Sequence, residues 1–345
     1  MKSKTKKIFL DDSGEFLGRG EGCLIVSNRK HEVEKYPLFE NEIGEVQIKM
    51  GNSVSSGALA TLAFWGIDTL ITTQRGAPVG YLRAIDDDSH VKTRVCQYEA
   101  IKSGRAIEIA KKLVMSKILG QNQLLKKYGL RQHDLITAKQ TIDSIKMENI
   151  NVVRNKLTSL EGKFTDRYFQ QIFPMLPHSV LKVEKRRTFK AYDGINNTFN
   201  LAYTVLKWKV HKAIIKAKLE PFLGFLHSEQ FSKPSLVCDL METYRFLIDD
   251  FLIQFSKSLG KKDFAMVQED FSSKKKGKRE YLSKPLAKEL MTKLNAFFET
   301  TVEIPRMKYG NRQEIETLLS EEALLLAKYL RNERKDWQPR VPIIC

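Results

Sequence analysis

The sequence predicts an α+β protein: a small N-terminal β-sandwich domain over residues 1–86, a linker at 87–94, and a larger all-α-helical domain over residues 95–345. Three observations predict it. A length of 345 residues exceeds a typical single domain. Up to about Asp86 the apolar residues come in short runs separated by glycine and asparagine. Beyond about Lys92 they recur at helical spacing over long stretches without proline.

The strand-like runs are Ile8-Phe9-Leu10, Cys23 to Val26, Val46 to Met50, Thr69 to Thr72 and Val79 to Leu82. One helix interrupts them, capped by Ser55 or Ser56 and ended by Gly66. Strands this short and frequent suit a sandwich, and they carry no catalytic constellation. Asp86-Asp87-Asp88 reads as a solvated hinge, with a calcium site as the alternative.

The second domain should hold helices over about Val95–Leu125, Leu135–Ile145, Asn149–Phe173, Asn197–Lys218, Pro234–Lys257, Tyr281–Phe298 and Arg312–Arg334. The first has an apolar stripe of Ala106, Ile109, Ala110, Leu113 and Val114, with Lys111, Lys112, Lys117, Lys126 and Lys127 as its charged decoration. Ser272 to Arg279, Ser-Ser-Lys-Lys-Lys-Gly-Lys-Arg, reads as an exposed loop. Lys182 to Tyr192 interleaves basic and aromatic residues, a pattern that suits phosphates and stacked bases.

The charge narrows the partners. With 58 Lys and Arg against 41 Asp and Glu, the net charge is +17. Such an excess points to polyanions, nucleic acid before an anionic membrane surface. Cys23, Cys96, Cys238 and Cys345 are far apart and have no metal-ligand spacing, so thiols in a reducing cytoplasm are expected rather than disulfides. Neither a signal-peptide core nor a membrane-spanning apolar run is visible in the sequence.

Three places carry polar groups in apolar surroundings. Glu161 falls inside the stripe of Val153, Leu157, Leu160, Phe164, Tyr168 and Ile172. A carboxylate there must be paired, protonated or metal-bound. His227 precedes a helix in which Asp239 and Glu242, three apart, lie on one side. One imidazole and two or three carboxylates, with no paired cysteines, suit Mg2+ or Mn2+ better than Zn2+. In a basic protein, such an ion serves phosphodiester chemistry.

The residues also resemble a known family, the CRISPR-associated adaptation endonuclease/integrase, which inserts new spacers into CRISPR arrays. Three motifs carry the resemblance: Leu160-Glu161-Gly162 with Tyr168-Phe169; Asp193, Asn196 and Tyr203; and the block Gly224-Phe225-Leu226-His227, Lys233 to Leu236, Asp239 to Glu242 and Arg245. Phe164 and Thr165 stand where the family has small residues, and Lys190-Ala191-Tyr192 replaces an expected double proline. The resemblance implies that Glu161, His227 and Glu242 are the catalytic ligands of a Mg2+ or Mn2+ ion, with Asp239 as an accessory carboxylate. It implies transesterification, in which the 3′-hydroxyl of a captured DNA fragment attacks a phosphodiester at the repeat boundary. It further implies a homodimer, with the β-sandwich contributing to dimerisation, bridged by a small ferredoxin-like CRISPR adaptation partner.

The DNA-binding candidates are Arg167, Lys185, Arg186, Arg187, Arg245, Lys274, Lys275, Lys276, Lys278 and Arg279. Two other functions remain open from the sequence: a basic nucleic-acid-binding scaffold without chemistry, and a DNA-repair nuclease outside CRISPR.

Overall fold

The computed structural model of the chain describes residues 6–38, 43–84, 91–146, 149–177, 180, 185–188, 191–272, 275–305 and 311–344. The chain divides into two compact units, residues 1–89 and 90–345.

The first unit holds two four-stranded sheets. One orders β1 (Lys6–Leu10), β5 (Ile43–Lys49), β7 (Asp68–Thr72) and β8 (Pro78–Leu82) side by side. Its β1/β5 and β5/β7 pairs are parallel and β7/β8 is antiparallel. The other orders β4 (Val33–Pro37), β3 (Cys23–Ser27), β2 (Phe16–Gly20) and β6 (Ser53–Val54). The β2–β3 turn is tight because Glu21 and Gly22 both take positive φ, which matches the twist of the flanking strands. Strand alternation sends Ile8, Leu10, Leu17, Leu24, Val46 and Ile48 into one core. Helix α1 (Ser56–Phe64) adds Ala58 and Leu62 to that core, and the Ser55 hydroxyl caps its first turn.

The second unit is mainly helical. Its helices are α2 (Val91–Ile101), α3 (Arg105–Lys127), α4 (Leu135–Ser144), α5 (Ile150–Ile172), α6 (Gly194–Lys216), α7 (Ser235–Glu242), α8 (Arg245–Ser256), α9 (Lys284–Phe298) and α10 (Ile315–Leu330). Helix α3 packs against α4, α5, α7 and α8, and its stripe of Ile109, Ala110, Leu113, Val114 and Ile118 is fully buried. Buried residues of these helices join one hydrophobic core.

Several expectations need correction. The helix expected over 95–125 is two helices, α2 and α3, separated at Ser103-Gly104, where the Ser103 hydroxyl takes the carbonyl of Ala100. The helix expected over 234–257 is broken between Glu242 and Arg245 into α7 and α8. Continuous apolar periodicity hides both breaks, because each pair of helices buries its side chains in the same core. Residues 91–94, assigned to the linker, belong to α2; 87–90, like the acidic cluster at 86–88, lie outside the described residues.

The second unit is also not purely helical. Strands β9 (Phe264–Ser272) and β10 (Lys275–Leu282) form an antiparallel hairpin, and β11 (Thr301–Glu303) pairs with β12 (Arg312–Glu314). Most of the expected loop at 272–279 is thus strand. Lysines do not prevent this, since a two-stranded ribbon can leave them in solvent. What fixes the ribbon is its docking on the start of α6. The Glu280 carboxylate accepts from Gly194 N–H at 2.9 Å and its carbonyl accepts from Asn197 at 2.8 Å. A Cβ at Gly194 would stand 2.1 Å from the Phe264 ring, so only glycine admits this approach.

Candidate active site

Glu161 lies in the middle of α5, and Glu242 is the last residue of α7. Both meet the same cation. Lys117, from the buried face of α3, bonds to Glu161 Oε1 and pairs with Glu242 Oε2 at 2.6 Å. The three side chains are only 7%, 17% and 9% exposed for Lys117, Glu161 and Glu242. The Thr165 hydroxyl, one turn along α5, donates to Glu161 Oε1 at 3.1 Å. Gln121, one turn along α3, donates to Thr165 at 3.2 Å.

Glu242 has a second cationic neighbour. Arg245 donates to its Oε1 at 2.7 Å and lies over the Tyr203 ring, 4.3 Å from the centroid. Burial pushes the Glu242 carboxyl up, but Arg245, Lys117 and His227 outweigh it and hold the group at about 2. Behind this pair, Asp249 is buried and accepts from Tyr168 at 2.7 Å and from Tyr203. Burial raises its carboxyl above the ordinary range despite those bonds.

His227 sits on the short segment before α7, and that segment is clamped from two sides. Asp239, fully buried on α7, accepts the backbone N–H groups of Phe225 at 2.5 Å, Leu226 at 2.9 Å and His227 at 2.9 Å. Arg154, buried on α5, donates to the carbonyls of Gly224 at 2.6 Å and Phe225 at 3.0 Å. A Cβ at Gly224 would meet the His227 carbonyl and Ser235 at 2.8 Å, which is why the segment begins with glycine.

The same Asp239 carboxylate contacts His227 Nδ1 at 2.7 Å. A carboxylate accepts, so Nδ1 carries the hydrogen, and in the neutral ring Nε2 presents its lone pair. Burial lowers the imidazole pKa, but the Asp239 bond and the Glu242 charge outweigh it and raise the pKa above its ordinary value. Asp239 therefore serves the loop and the imidazole: its oxygens are taken up there.

The expected ligands meet only in part. Among the described residues, no three His, Cys, Asp or Glu side chains stand close enough together to enclose a metal ion. Glu161 and Glu242 do converge on one buried cation, and His227 lies within electrostatic reach of Glu242. Glu242 Oε2 is buried and accepts no hydrogen bond from the described residues, although it is ion-paired. Two carboxylates and one imidazole nitrogen remain a fitting donor set for Mg2+ or Mn2+.

Of the expected DNA contacts, Arg167, Lys185, Arg187 and Lys278 are exposed. Three others are engaged within the protein. Arg186 donates to Asn196 at 2.8 Å and Asn200 at 2.6 Å and lies over Phe199 and Tyr203. Arg245 is bound to Glu242, and Arg279 lies over Tyr192 and pairs with Glu269 at 3.7 Å. Lys274 and the side chains of Lys275 and Lys276 lie outside the described residues.

Sequence reading missed Lys117, Gln121, Arg154, Thr165 and Asp249. A signal existed for Lys117 and Gln121: they extend the α3 stripe of Leu113 and Val114 by helical steps, the same argument that singled out Glu161.

Residues 8–291 match the family described as CRISPR associated protein Cas1. The chain is 32% identical over 255 residues to "CRISPR-associated endonuclease Cas1 2" of Pyrobaculum aerophilum, covering 73% of this chain and 83% of that protein. Its fold is similar to that of a casposase bound to integration product, with TM-score 0.80, 19% identity, and 99% and 95% of the two chains covered. It is likewise similar to a chain of a "Cas6-RT-Cas1--Cas2 complex", with TM-score 0.72 and 20% identity, covering 100% of this chain and 37% of that one.

Proposed function

The chain belongs to the CRISPR-associated Cas1 family, and on that premise we propose that it is a divalent-metal-dependent DNA endonuclease and integrase of CRISPR adaptation. The observation that carries the reading is the meeting of Glu161 and Glu242 on one buried cation, beside an imidazole oriented by Asp239. Glu161, Glu242 and His227 Nε2 are the groups that would hold Mg2+ or Mn2+. Such an ion, when bound, polarises a phosphoryl oxygen, activates a hydroxyl or water and balances charge on the leaving oxygen.

The protein's own groups do the positioning. Asp239 and Arg154 fix the backbone that carries His227. Arg245, held by Glu242 and Tyr203, supplies a fixed positive charge beside the carboxylates. Arg167, Lys185, Arg187 and Lys278 are exposed cations suited to DNA phosphates. The substrates are double-stranded DNA with 3′-hydroxyl ends and CRISPR repeat DNA. The protein works in the cytoplasm as a homodimer with a small ferredoxin-like CRISPR adaptation partner. A fold relative that occurs in a Cas1–Cas2 complex supports the partner. Among the described residues no helix is long and apolar enough to cross a membrane.

Glu161→Ala, His227→Ala and Glu242→Ala should each abolish strand joining while leaving DNA binding largely intact. A purified His227→Ala protein that joined DNA at the wild-type rate in Mn2+ would falsify the assignment. One observation favours a non-catalytic DNA-binding scaffold: Lys117 forms ion pairs with both carboxylates, as structural carboxylates would have. The scaffold predicts binding without cleavage or joining in any divalent metal, whereas the enzyme predicts activity that EDTA abolishes.

A further inference from the structure

Lys117 has two places to put its ammonium. One is the position between Glu161 Oε1 and Glu242 Oε2 that it occupies. The other is Gln121 Oε1, one helical turn along α3, which is buried and accepts no hydrogen bond among the described residues. A cavity of about 10 Å3, lined by Lys117, Gln121, Thr165, Tyr168, Glu242 and Asp249, lies beside both. A buried acceptor without a donor is costly, so its placement beside a buried ammonium asks for a reason.

We propose that Lys117 is a built-in counter-ion that holds the two carboxylates together while the site has no metal and swings to Gln121 when a divalent ion binds. The inference rests on the metal-site reading above. The physics is direct. Two ionised carboxylates this close repel unless a cation lies between them. An ammonium and a divalent ion cannot share the same two oxygens, because like charges at contact distance repel strongly. The lysine therefore pre-gathers the oxygens and sets the metal concentration at which the site loads. Only its position changes.

The test measures Mn2+ affinity from the electron paramagnetic resonance of free Mn2+, and the melting temperature with and without Mn2+. It compares wild type, Lys117→Met, Gln121→Leu and the double variant. Removing the competitor should tighten Mn2+ binding by about tenfold or more. Metal-free Lys117→Met should melt lower than wild type and gain more from Mn2+. Gln121→Leu should weaken binding by a few-fold, and the double variant should match Lys117→Met if Gln121 acts through the lysine rather than through its bond to Thr165.

Unchanged or weaker Mn2+ binding in a folded Lys117→Met protein overturns the proposal. If that variant does not fold, Gln121→Leu decides against Thr165→Val, which removes the Gln121–Thr165–Glu161 bonds: affinity no weaker than that of Thr165→Val overturns the proposal, and weaker affinity supports it. A wild-type protein showing no Mn2+ binding that Glu161→Gln removes would sink the metal-site reading itself, and the counter-ion exchange with it.

Discussion

Asp239 takes four contacts on its two oxygens, three from backbone N–H groups and one from His227. Asp239→Asn keeps the shape but turns one acceptor into a donor facing those N–H groups. It should cost about 1–3 kcal/mol of stability. By misorienting His227, it should also weaken Mn2+ binding by about 10–100-fold. Urea unfolding and metal titration check the two effects separately, and wild-type metal affinity in a destabilised Asp239→Asn protein would remove the orienting role. His133 gives a pH handle away from this site. Burial first, and Arg167 second, lower its pKa to about 4. The unfolded chain protonates this histidine near 6.5, so it binds more protons than the folded chain between about 6.5 and 4. The stability contributed by the neutral imidazole is therefore lost as pH falls through that window. His133→Leu should flatten the slope of unfolding free energy against pH there; a slope equal to wild type would assign the loss to other groups.

At the scale of elements, the site depends on how α5 and α7 grip the segment at 224–227 between them. Arg154 takes its carbonyls and Asp239 its N–H groups, so the segment is held like a strand between two partners. Gly224→Ala should cost about 1–3 kcal/mol, because the new methyl meets backbone atoms of His227 and Ser235. A melting temperature within a degree of wild type, with unaltered metal binding, would show that the clamp gives way freely. Helix periodicity marked α5 well, since it buries Val153, Leu157, Tyr168 and Ile172 on one face with a 3.6-residue repeat. It could not mark the break between α7 and α8. Residues on both sides of the break, such as Leu240, Phe246 and Leu247, are buried in one core, so the apolar pattern never lapses.

For the whole molecule, the charge of +17 sets the expectation. If about six phosphates are neutralised, DNA affinity should fall by about a thousandfold between about 50 and 200 mM salt. Lys278→Ala should reduce the slope of log affinity against log salt by about one if that lysine meets a phosphate. Fluorescence anisotropy over a salt series reads both, and a flat salt dependence would show that the excess charge lies away from DNA. Arg186 and Arg279 belong less to this surface than their sequence suggests. Arg186 bonds Asn196 and Asn200, and Arg279 lies over Tyr192, so alanine at either should affect stability more than the salt slope.

The sequence by itself determined the two-part α+β plan, the helical stripes, and the oddity of Glu161, His227 and Glu242 in apolar surroundings. Those are local properties: periodicity along one element and a polar residue set against its own neighbours. Only the tertiary structure decided what stands opposite them. Glu161 and Glu242 are 81 positions apart and meet because α3 brings Lys117 between α5 and α7. Asp239 and Glu242 share a short helix yet serve different partners, the loop of His227 and the Lys117–Arg245 pair. A residue's partner is set by which helix packs across from it, and that depends on the whole core rather than on any stretch of chain.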